Sequence, residues 1–184
     1  MGRKRDIAGV VFPPWMEASG KRRAHVGRVM ALLERWASAL HLDAEEAERW
    51  RTAGLLHDAL RDAPESLLRE IMRDSELPAE LLHGPAAAER ARQDGERRED
   101  VLDAISYHTV GCARWARTGQ ALYMADFLEP GRRFLLSERA FLADQVARDF
   151  AGTFRQVVRL RLEWALTQGG ELFPETVALW HAVR

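Results

Sequence analysis

The chain has 184 residues, of which 47% are hydrophobic and 30% charged, a composition typical of one globular domain rather than of a disordered or fibrous protein. Its formal net charge of -1 excludes the strong basic field that draws proteins to nucleic acid or anionic lipid, so we expect neither partner. The single cysteine, Cys112, excludes an internal disulfide framework, and neither a transmembrane span nor a convincing signal peptide is present, so we expect a cytoplasmic protein.

Two prolines and a terminal glycine mark residues 1–20 as a lead segment with at most a short helix. Residues 21–184 carry a helical period and form a single domain, with the candidate site residues at 21–135 and further C-terminal helices at 136–184. No stretch of useful length alternates with the period of a strand, and there is no internal repeat. We therefore expect an all-α fold.

The first helix starts near Lys21, because apolar residues recur from there at three- and four-residue steps. His25 stands one turn before Val29 and so lies on or near that apolar face. Asp43 is suited to cap a second helix, which would run to about Asp58 or Leu60. Its apolar end, Leu55-Leu56-His57-Asp58, stops on two adjacent metal-binding side chains.

Prolines divide the next part of the chain into short pieces. Pro64 is suited to the first position of a short helix, and Pro78 opens a brief turn. Pro85 again suits a helix start, which would place His83 just outside a helix N-terminus. Residues 93–95 read as a turn that ends this helix.

Two further helices carry candidate ligands. Residues 96–108 form a helix that reaches His108, and Gly111 breaks it. Residues 120–128 are apolar except for Asp126, and the Glu-Pro-Gly-Arg sequence that follows ends this helix.

The C-terminal part is helical again. Residues 137–168 fit a helix, divided in two near Gly152, with Trp164 on the buried face. Gly169 and Gly170 form a hinge before a last short helix at Pro174–Val183.

Six metal-binding side chains fall near element ends or on apolar faces. Taken singly, each is more often a helix cap or a hydrogen-bonded core residue than a ligand. They are too dispersed for a local zinc-finger spacing, so they can converge only through the fold. Imidazole and carboxylate ligands without thiolate favour Fe, Mn, Zn or Ni, and one shared Asp would let the set hold two ions roughly 3.5–4 Å apart. The six are His25, His57, Asp58, His83, His108 and Asp126.

The order of these residues resembles the H…HD…D pattern of the HD-domain phosphohydrolase superfamily. Four runs are similar to the motifs of its YqeK family, the bacterial symmetrical bis(5′-nucleosyl)-tetraphosphatases. The resemblance covers about residues 20–135, with a weaker echo at 172–176, and it implies an HD-domain helical bundle with additional C-terminal helices. The four runs are Lys21-Arg22-Arg23-Ala24-His25, Leu82-His83-Gly84-Pro85, the stretch at 104–111, and the stretch at 123–132.

The resemblance implies a two-metal site, with iron favoured and Mn, Zn or Ni as alternatives, that hydrolyses diadenosine tetraphosphate to two ADP. By this likeness His25, His57, Asp58 and Asp126 would hold one ion, with Asp58 bridging to a second ion held by His83 and His108. Asp58 and Asp62 would be the catalytic carboxylates, Asp62 by orienting water or by donating a proton to the leaving phosphate. Substrate or phosphate contacts would come from Arg61, His83, Thr109, Gly111 and Arg132.

Several positions depart from the family pattern. Arg61 replaces a Lys, Cys112 an Arg, Gln120 a Lys and Trp115 a Met, so two basic side chains near the pocket are missing. Arg114 and Arg117 could replace them, and Trp115 could stack on an adenine, although ordinary packing is the better expectation.

These departures leave the substrate open among nucleotides and dinucleoside polyphosphates. One alternative is an HD-type nucleotidase acting on a mononucleotide or another phosphate ester. Another is a nucleotide-binding regulatory protein that has lost turnover. A homodimer is also left open.

Overall fold

The computed structural model describes residues 10–73, 75–170 and 172–184, and the regular elements within these ranges are all helical, which confirms the all-α prediction. In the same ranges, no helix combines the length and the apolar character needed to span a bilayer. The α-helices of the described part are α1 (Gly20–Ala39), α2 (Ala44–Leu56), α3 (Glu65–Met72), α4 (His83–Gln93), α5 (Glu99–Tyr107), α6 (Arg117–Leu128), α7 (Leu136–Gln145), α8 (Phe150–Thr167) and α9 (Pro174–Val183), with one 3₁₀ turn at Ala79–Leu81.

The end of α2 determines where the HD pair lies. Asp43 caps the helix as predicted, because its side chain accepts a hydrogen bond from the N–H of Glu46 at 2.8 Å. The helix ends at Leu56, earlier than the sequence suggested, so His57 is its C-cap residue and Asp58 lies in the turn beyond. Both residues therefore lie beyond the last residue of the helix, and both side chains are buried.

The start of α1 is tied to this same turn. The N-cap residue of α1 is Ser19, whose side chain accepts from the N–H of Arg22 at 3.3 Å. The backbone N–H of Ser19 donates to the carboxylate of Asp62 at 2.8 Å. This bond fixes the first turn of α1, and with it His25, against the chain that follows the HD pair.

The centre of the bundle is α6, which packs against α1, α2, α5, α7 and α8. Residues 121–128 are all buried, and Asp126 is the one charged side chain among them. A helix that is apolar on all sides belongs in a protein interior, so the single carboxylate in this helix requires charged or ligating partners.

Two helices that carry candidate ligands begin earlier than predicted. The prediction that His83 lies just outside a helix was wrong, because α4 starts at His83 rather than at Pro85. Likewise α6 starts at Arg117 instead of Gln120, which adds one turn before its apolar run. In both cases the preceding chain continues into the helix without a side-chain cap, so no capping residue marks the start in the sequence.

The C-terminal helices also differ in detail from the prediction. The break between α7 and α8 falls at residues 146–149 and not at Gly152, because the side chain of Asp149 caps α8 by accepting from the Gly152 N–H at 2.9 Å. The prediction that Trp164 is buried was wrong: it is 41% exposed and stacks on Phe134. The last helix, Pro174–Val183, has the predicted bounds.

Trp115 packs as ordinary core, as the sequence favoured. Its side chain is 7% exposed, its ring lies 5.5 Å from that of Tyr123, and its Nε1–H donates to the carbonyl of Asp103 at 3.3 Å. It is therefore not available to stack on a nucleobase.

The described part of the lead segment, residues 10–19, packs against the turn that follows α2 and contains His57 and Asp58. Phe12 and Met16 are buried in the core, and the Glu17 N–H donates to the carbonyl of Ala59 at 2.9 Å. The segment is therefore fixed to the chain just after the HD pair.

Candidate metal centre

The fold brings together all six predicted ligands at the ends of helices that are distant in sequence. His25 lies in α1, His57 and Asp58 follow α2, His83 opens α4, His108 caps the C-terminus of α5, and Asp126 lies in α6. Each of these side chains is buried, none with more than 6% of its surface exposed. Six ionisable groups buried at one place are expected only where they are paired or bind metal.

The six form two sets, each of which could hold one metal ion. We call His25, His57 and Asp126 the first ligand group, and Asp58, His83 and His108 the second ligand group. Within each group the candidate ligand atoms all lie within 4.8 Å of one another.

Asp58 lies between the two groups and faces both. Its Oδ2 atom is 3.5 Å from His25 Nε2 and 3.7 Å from His57 Nε2. Its Oδ1 atom is 3.3 Å from His108 Nε2 and 3.5 Å from His83 Nε2. One carboxylate that offers a different oxygen to each group is the arrangement a bridging ligand requires.

The hydrogen bonds of the four imidazoles test whether a metal fits. Each Nδ1 lies beside an acceptor to which it can donate, and an imidazole that is neutral in this tautomer keeps its Nε2 lone pair for a cation. The acceptors are the carbonyl of Gly54 for His57 (2.9 Å), of Glu80 for His83 (3.1 Å) and of Ile105 for His108 (2.8 Å), and the carboxylate of Glu129 for His25 (3.2 Å).

The Nε2 atoms of the two imidazoles in each group then face one another. His25 Nε2 and His57 Nε2 are 3.3 Å apart, and His83 Nε2 and His108 Nε2 are 3.1 Å apart. Two neutral imidazoles that face each other through acceptor atoms gain nothing from the contact, whereas a cation between them would satisfy both. The donor set therefore fits a pair of metal ions bound by nitrogen and oxygen.

The protonation states of the ligands follow from their surroundings. Burial, together with the nearby His108, lowers the pKa of His57 to about 4 and that of His83 to about 3, so both imidazoles are neutral at pH 7. Burial opposes the charge on His25, yet hydrogen bonds to Asp126 and Glu129 raise its pKa to about 9. In the absence of metal, a proton on His25 thus occupies part of the first ligand group.

Both carboxylates among the candidate ligands are ionised. Although burial favours the neutral acid, the imidazoles of His57 and His108 hold the pKa of Asp58 well below its usual range. Burial is likewise outweighed at Asp126, where Arg132 and His25 hold the carboxyl pKa well below its ordinary value. Two buried carboxylates that stay charged are suitable ligands for cations.

Four charged residues around the centre were not singled out from the sequence. Arg22 donates to Asp58 Oδ2 at 2.6 Å, and Arg161 donates to Asp126 Oδ2 at 3.3 Å. Glu129 contacts His25 and also accepts from Arg28. Arg22 and Glu129 each lie three residues from a ligand, a spacing that could have identified them. Arg161 lies far along the chain from Asp126, so the sequence gives no comparable signal.

The predicted phosphate-binding residues differ in how close they lie to the ligands. The Thr109 hydroxyl oxygen is 3.3 Å from His108 Nε2 and 3.4 Å from His83 Nε2. Arg132 donates to Asp126 Oδ1 at 2.5 Å, and Arg61 lies 3.1 Å from His83 Nδ1. Each of these three residues contacts at least one of the candidate ligands.

Gly111 and Asp62 lie outside the two ligand groups. Gly111 has a φ of +89° and packs against Leu179, where a Cβ would come within 2.4 Å of a side-chain carbon, so it turns the chain after His108. Although burial opposes ionisation of Asp62, hydrogen bonds from Ser19 lower its pKa, so the side chain is charged at neutral pH.

A cavity of about 250 Å³ opens beside the centre between α6, α8 and residues 172–176. Thr109, Arg132 and Arg161 line it on the side of the ligand groups, and Phe134 and Trp164 are among its aromatic residues. A second cavity, of about 190 Å³, has Thr109 and Phe173 in common with the first and is otherwise mostly apolar.

Comparisons with known proteins agree with this geometry. The family model described as HD domain matches residues 22–149. The chain is 29% identical over 164 residues to a protein of Bacillus subtilis (strain 168) named bis(5′-nucleosyl)-tetraphosphatase, symmetrical, covering 84% of this chain and 85% of that one. A protein of the same name from Halalkalibacterium halodurans is 29% identical over 168 residues and 87% of each chain.

A solved structure is similar as well. It is a Clostridium acetobutylicum protein described as a predicted HD superfamily hydrolase involved in NAD metabolism, and the match has a TM-score of 0.75 with 30% sequence identity. The match covers 89% of this chain and 88% of that chain.

Proposed function

Because this chain belongs to the HD domain family, whose model matches residues 22–149, we propose that it is a metal-dependent phosphohydrolase that cleaves dinucleoside tetraphosphates symmetrically. For diadenosine tetraphosphate the products would be two ADP. The names of the curated relatives support this choice of substrate and bond. The observation that carries the proposal is Asp58, whose two oxygens each face a separate group of buried imidazoles.

The proposed cofactor is a pair of metal ions, with iron favoured over Mn, Zn or Ni. His25, His57 and Asp126 would hold one ion, His83 and His108 the other, and Asp58 would be shared. When bound, such a pair lowers the pKa of a water ligand and neutralises phosphate oxygens. All of the candidate ligand atoms are nitrogen or oxygen, which suits these metals better than it suits metals that prefer thiolate ligands.

Arginine side chains supply the positive charge that a polyphosphate requires. Arg22 and Arg132 contact the ligand carboxylates Asp58 and Asp126, and their side chains retain 28% and 35% exposure toward the outside. Arg161 is held against Asp126 from the opposite helix. Guanidinium groups that are already positioned by buried carboxylates can bind phosphate oxygens with little further ordering.

Asp62 would act as an acceptor in this scheme. Its lowered pKa leaves it ionised at neutral pH, which suits a carboxylate that orients a water molecule rather than an acid that protonates a leaving phosphate. Its distance of 3.9 Å from Arg22 Nε places it at the rim of the centre, on the side of α1.

Product analysis tests the proposed reaction. Metal-loaded protein should convert diadenosine tetraphosphate to ADP alone, and ¹⁸O from labelled water should enter the terminal phosphate of one of the two ADP molecules. ATP plus AMP as products would contradict symmetrical cleavage. Faster turnover of AMP or dAMP than of the dinucleotide would instead identify a mononucleotidase.

Metal quantification separates an active enzyme from a protein that has lost turnover. We expect close to two ions per chain after loading with iron or manganese. A protein that takes up less than about one ion per chain under any loading condition, and that binds nucleotides without hydrolysing them, would exclude the proposed mechanism.

A further inference from the structure

The cavity of about 250 Å³ beside the centre is polar at one end and aromatic at the other. At the polar end, the Thr109 hydroxyl lies 3.3 Å from His108 Nε2, and Arg132 and Arg161 both contact Asp126. This end is therefore in direct contact with both ligand groups and carries two guanidinium groups.

The aromatic end is formed by Phe134 and Trp164. Their rings stack with centroids 4.6 Å apart and planes inclined by 19°. Trp164 is 41% exposed although it belongs to a helix packed on the core. A large aromatic side chain left open to a cavity that also has charged residues in its lining is a common feature of ligand sites.

The order of these groups along α8 matches the order of groups in a nucleotide. Arg161 and Trp164 are three residues apart and so lie on one face of the helix, about 4.5 Å apart along its axis. Arg161 lies at the centre, with its guanidinium 3.3 Å from Asp126 and over the ring of Tyr123 at 3.9 Å. The face thus presents a cation next to the centre and an indole farther out.

We propose that this cavity binds one nucleoside diphosphate half of the substrate, with its phosphates toward Arg132 and Arg161 and its base against Trp164. The inference rests on the proposed function for the identity of the ligand. Trp164 would then determine affinity for the nucleoside. Trp115, the other tryptophan considered for this role, is buried and cannot fulfil it.

The second cavity is a poorer match to the same ligand. Glu175 is the one charged residue among those that line it, and the others are mainly apolar, such as Leu81 and Val110. A carboxylate repels a diphosphate, whereas the two arginines of the first cavity attract it. The charge of the lining residues therefore favours the first cavity.

Binding of ADP and of pyrophosphate to the metal-loaded protein, measured by calorimetry, tests the proposal. Trp164→Ala should weaken ADP binding by roughly 5- to 150-fold, the range that loss of one base–aromatic stack produces. Pyrophosphate, which has no base, should bind as it does to the unaltered protein. Trp164→Phe should restore most of the affinity for ADP.

Phe141→Ala is the matched control, because Phe141 is an aromatic residue of α7 that is 63% exposed and does not line the cavity. Its affinity for ADP should not change. The proposal is overturned if Trp164→Ala binds ADP normally, or if it loses ADP and pyrophosphate to the same degree, since that result indicates a general structural effect.

The two proposals fail in different ways. If the protein does not hydrolyse diadenosine tetraphosphate but Trp164→Ala still weakens ADP binding selectively, the proposed reaction is wrong and the nucleoside site stands. If hydrolysis occurs but Trp164→Ala binds ADP with unchanged affinity, the proposed reaction stands and the nucleoside site is wrong. The base then binds elsewhere, and Tyr107→Leu would test the second cavity.

Discussion

The two ligand groups contain the same kinds of side chain, but different neighbours hold them in place. In the second group, His83 and His108 each direct Nδ1 to a main-chain carbonyl three residues earlier, those of Glu80 and Ile105. In the first group, His25 is held by the carboxylate of Glu129, which lies 104 positions away in the chain. His57 of the first group likewise faces the carbonyl of Gly54, three residues earlier, so His25 is the one imidazole of the four whose Nδ1 faces a side chain distant in the sequence.

The carboxylates differ in the same way. Asp126 of the first group contacts Arg132 and also Arg161, which comes from α8 in the C-terminal part. Asp58 contacts Arg22, a residue of the helix that begins the domain. The first group therefore depends on charged side chains from several segments, so substitutions far from the candidate ligands should affect it more than the second group.

The largest effect should come from the residue that both groups share. Asp58→Ala removes an oxygen ligand from each group, so metal content should fall to near zero and hydrolysis should decrease by at least about a thousandfold. His57→Ala should also abolish activity. Metal quantification, turnover and far-UV circular dichroism would show the losses while the helical spectrum persists.

Asp144→Asn is a suitable control for this substitution, because Asp144 is an exposed carboxylate of α7. It should retain both metals and full turnover. Near-normal activity in Asp58→Ala would show that the centre described here is not the site of the reaction.

The next largest effect should come from a change of pH, which should alter metal affinity at the first group but not at the second. The pKa of His25 is raised to about 9, so at pH 7 this imidazole is protonated and a metal ion must displace the proton. Raising the pH from 7 to 9 should therefore tighten binding at the first group by up to about tenfold per pH unit. His83 of the second group has a pKa of about 3 and has no proton to lose in this range.

Calorimetric titration of the metal-free protein with Mn²⁺ would measure this difference. In buffers with different heats of ionisation, one of the two binding events should release close to one proton at pH 7 and the other close to none. Equal proton release by both events would contradict the contrast between the groups.

Removal of a side chain that orients a candidate ligand should have a smaller effect, and only on the affinity of one group for metal. Glu129→Gln weakens the acceptor that orients His25, and loss of such a partner typically costs 10- to 100-fold in metal affinity. The first group should therefore lose affinity while the second does not. Metal titration followed by quantification should find one tight and one weak ion per chain.

Glu80→Gln provides the comparison in the second group. Glu80 contacts His83 through its main-chain carbonyl, which the substitution leaves intact, and its side chain is exposed. Both ions should bind this variant normally. If Glu80→Gln weakened a metal as much as Glu129→Gln does, the distinction between main-chain and side-chain support would be wrong.

The smallest effect on metal binding should come from Arg139, which acts one step farther away. This buried guanidinium of α7 donates to the carbonyls of Phe127, Glu129, Arg132 and Phe134, and so holds the loop that carries both Glu129 and Arg132. Arg139→Met would leave several buried carbonyls without a donor and should destabilise the fold by about 1–3 kcal/mol.

Urea denaturation would measure that loss, and metal titration should show a several-fold weakening confined to the first group. Arg148→Met, in the turn before α8, serves as the control and should leave both quantities unchanged. Equal weakening of both ions in Arg139→Met would show that the loop does not act on the first group alone.

The sequence was informative where a local pattern carries the signal. The cap at Asp43, the last helix at Pro174–Val183 and the buried apolar faces all follow from spacing and composition, and the structure confirms them. The prediction from sequence was wrong where tertiary packing, and not the helical spacing of apolar residues, determines whether a side chain is buried. Trp164 has the spacing of a core residue but is 41% exposed and stacks on Phe134 in the lining of the cavity.

The sequence by itself determined which side chains could bind metal, since imidazoles and carboxylates at the apolar ends of helices are recognisable from type and position. Only the tertiary structure decided that Asp58 faces both groups, and that Arg161 and Trp164 of a distant helix complete the pocket. The physical reason is that a side chain's chemistry is fixed by its own residue, whereas distances between residues far apart in the chain depend on how whole helices pack.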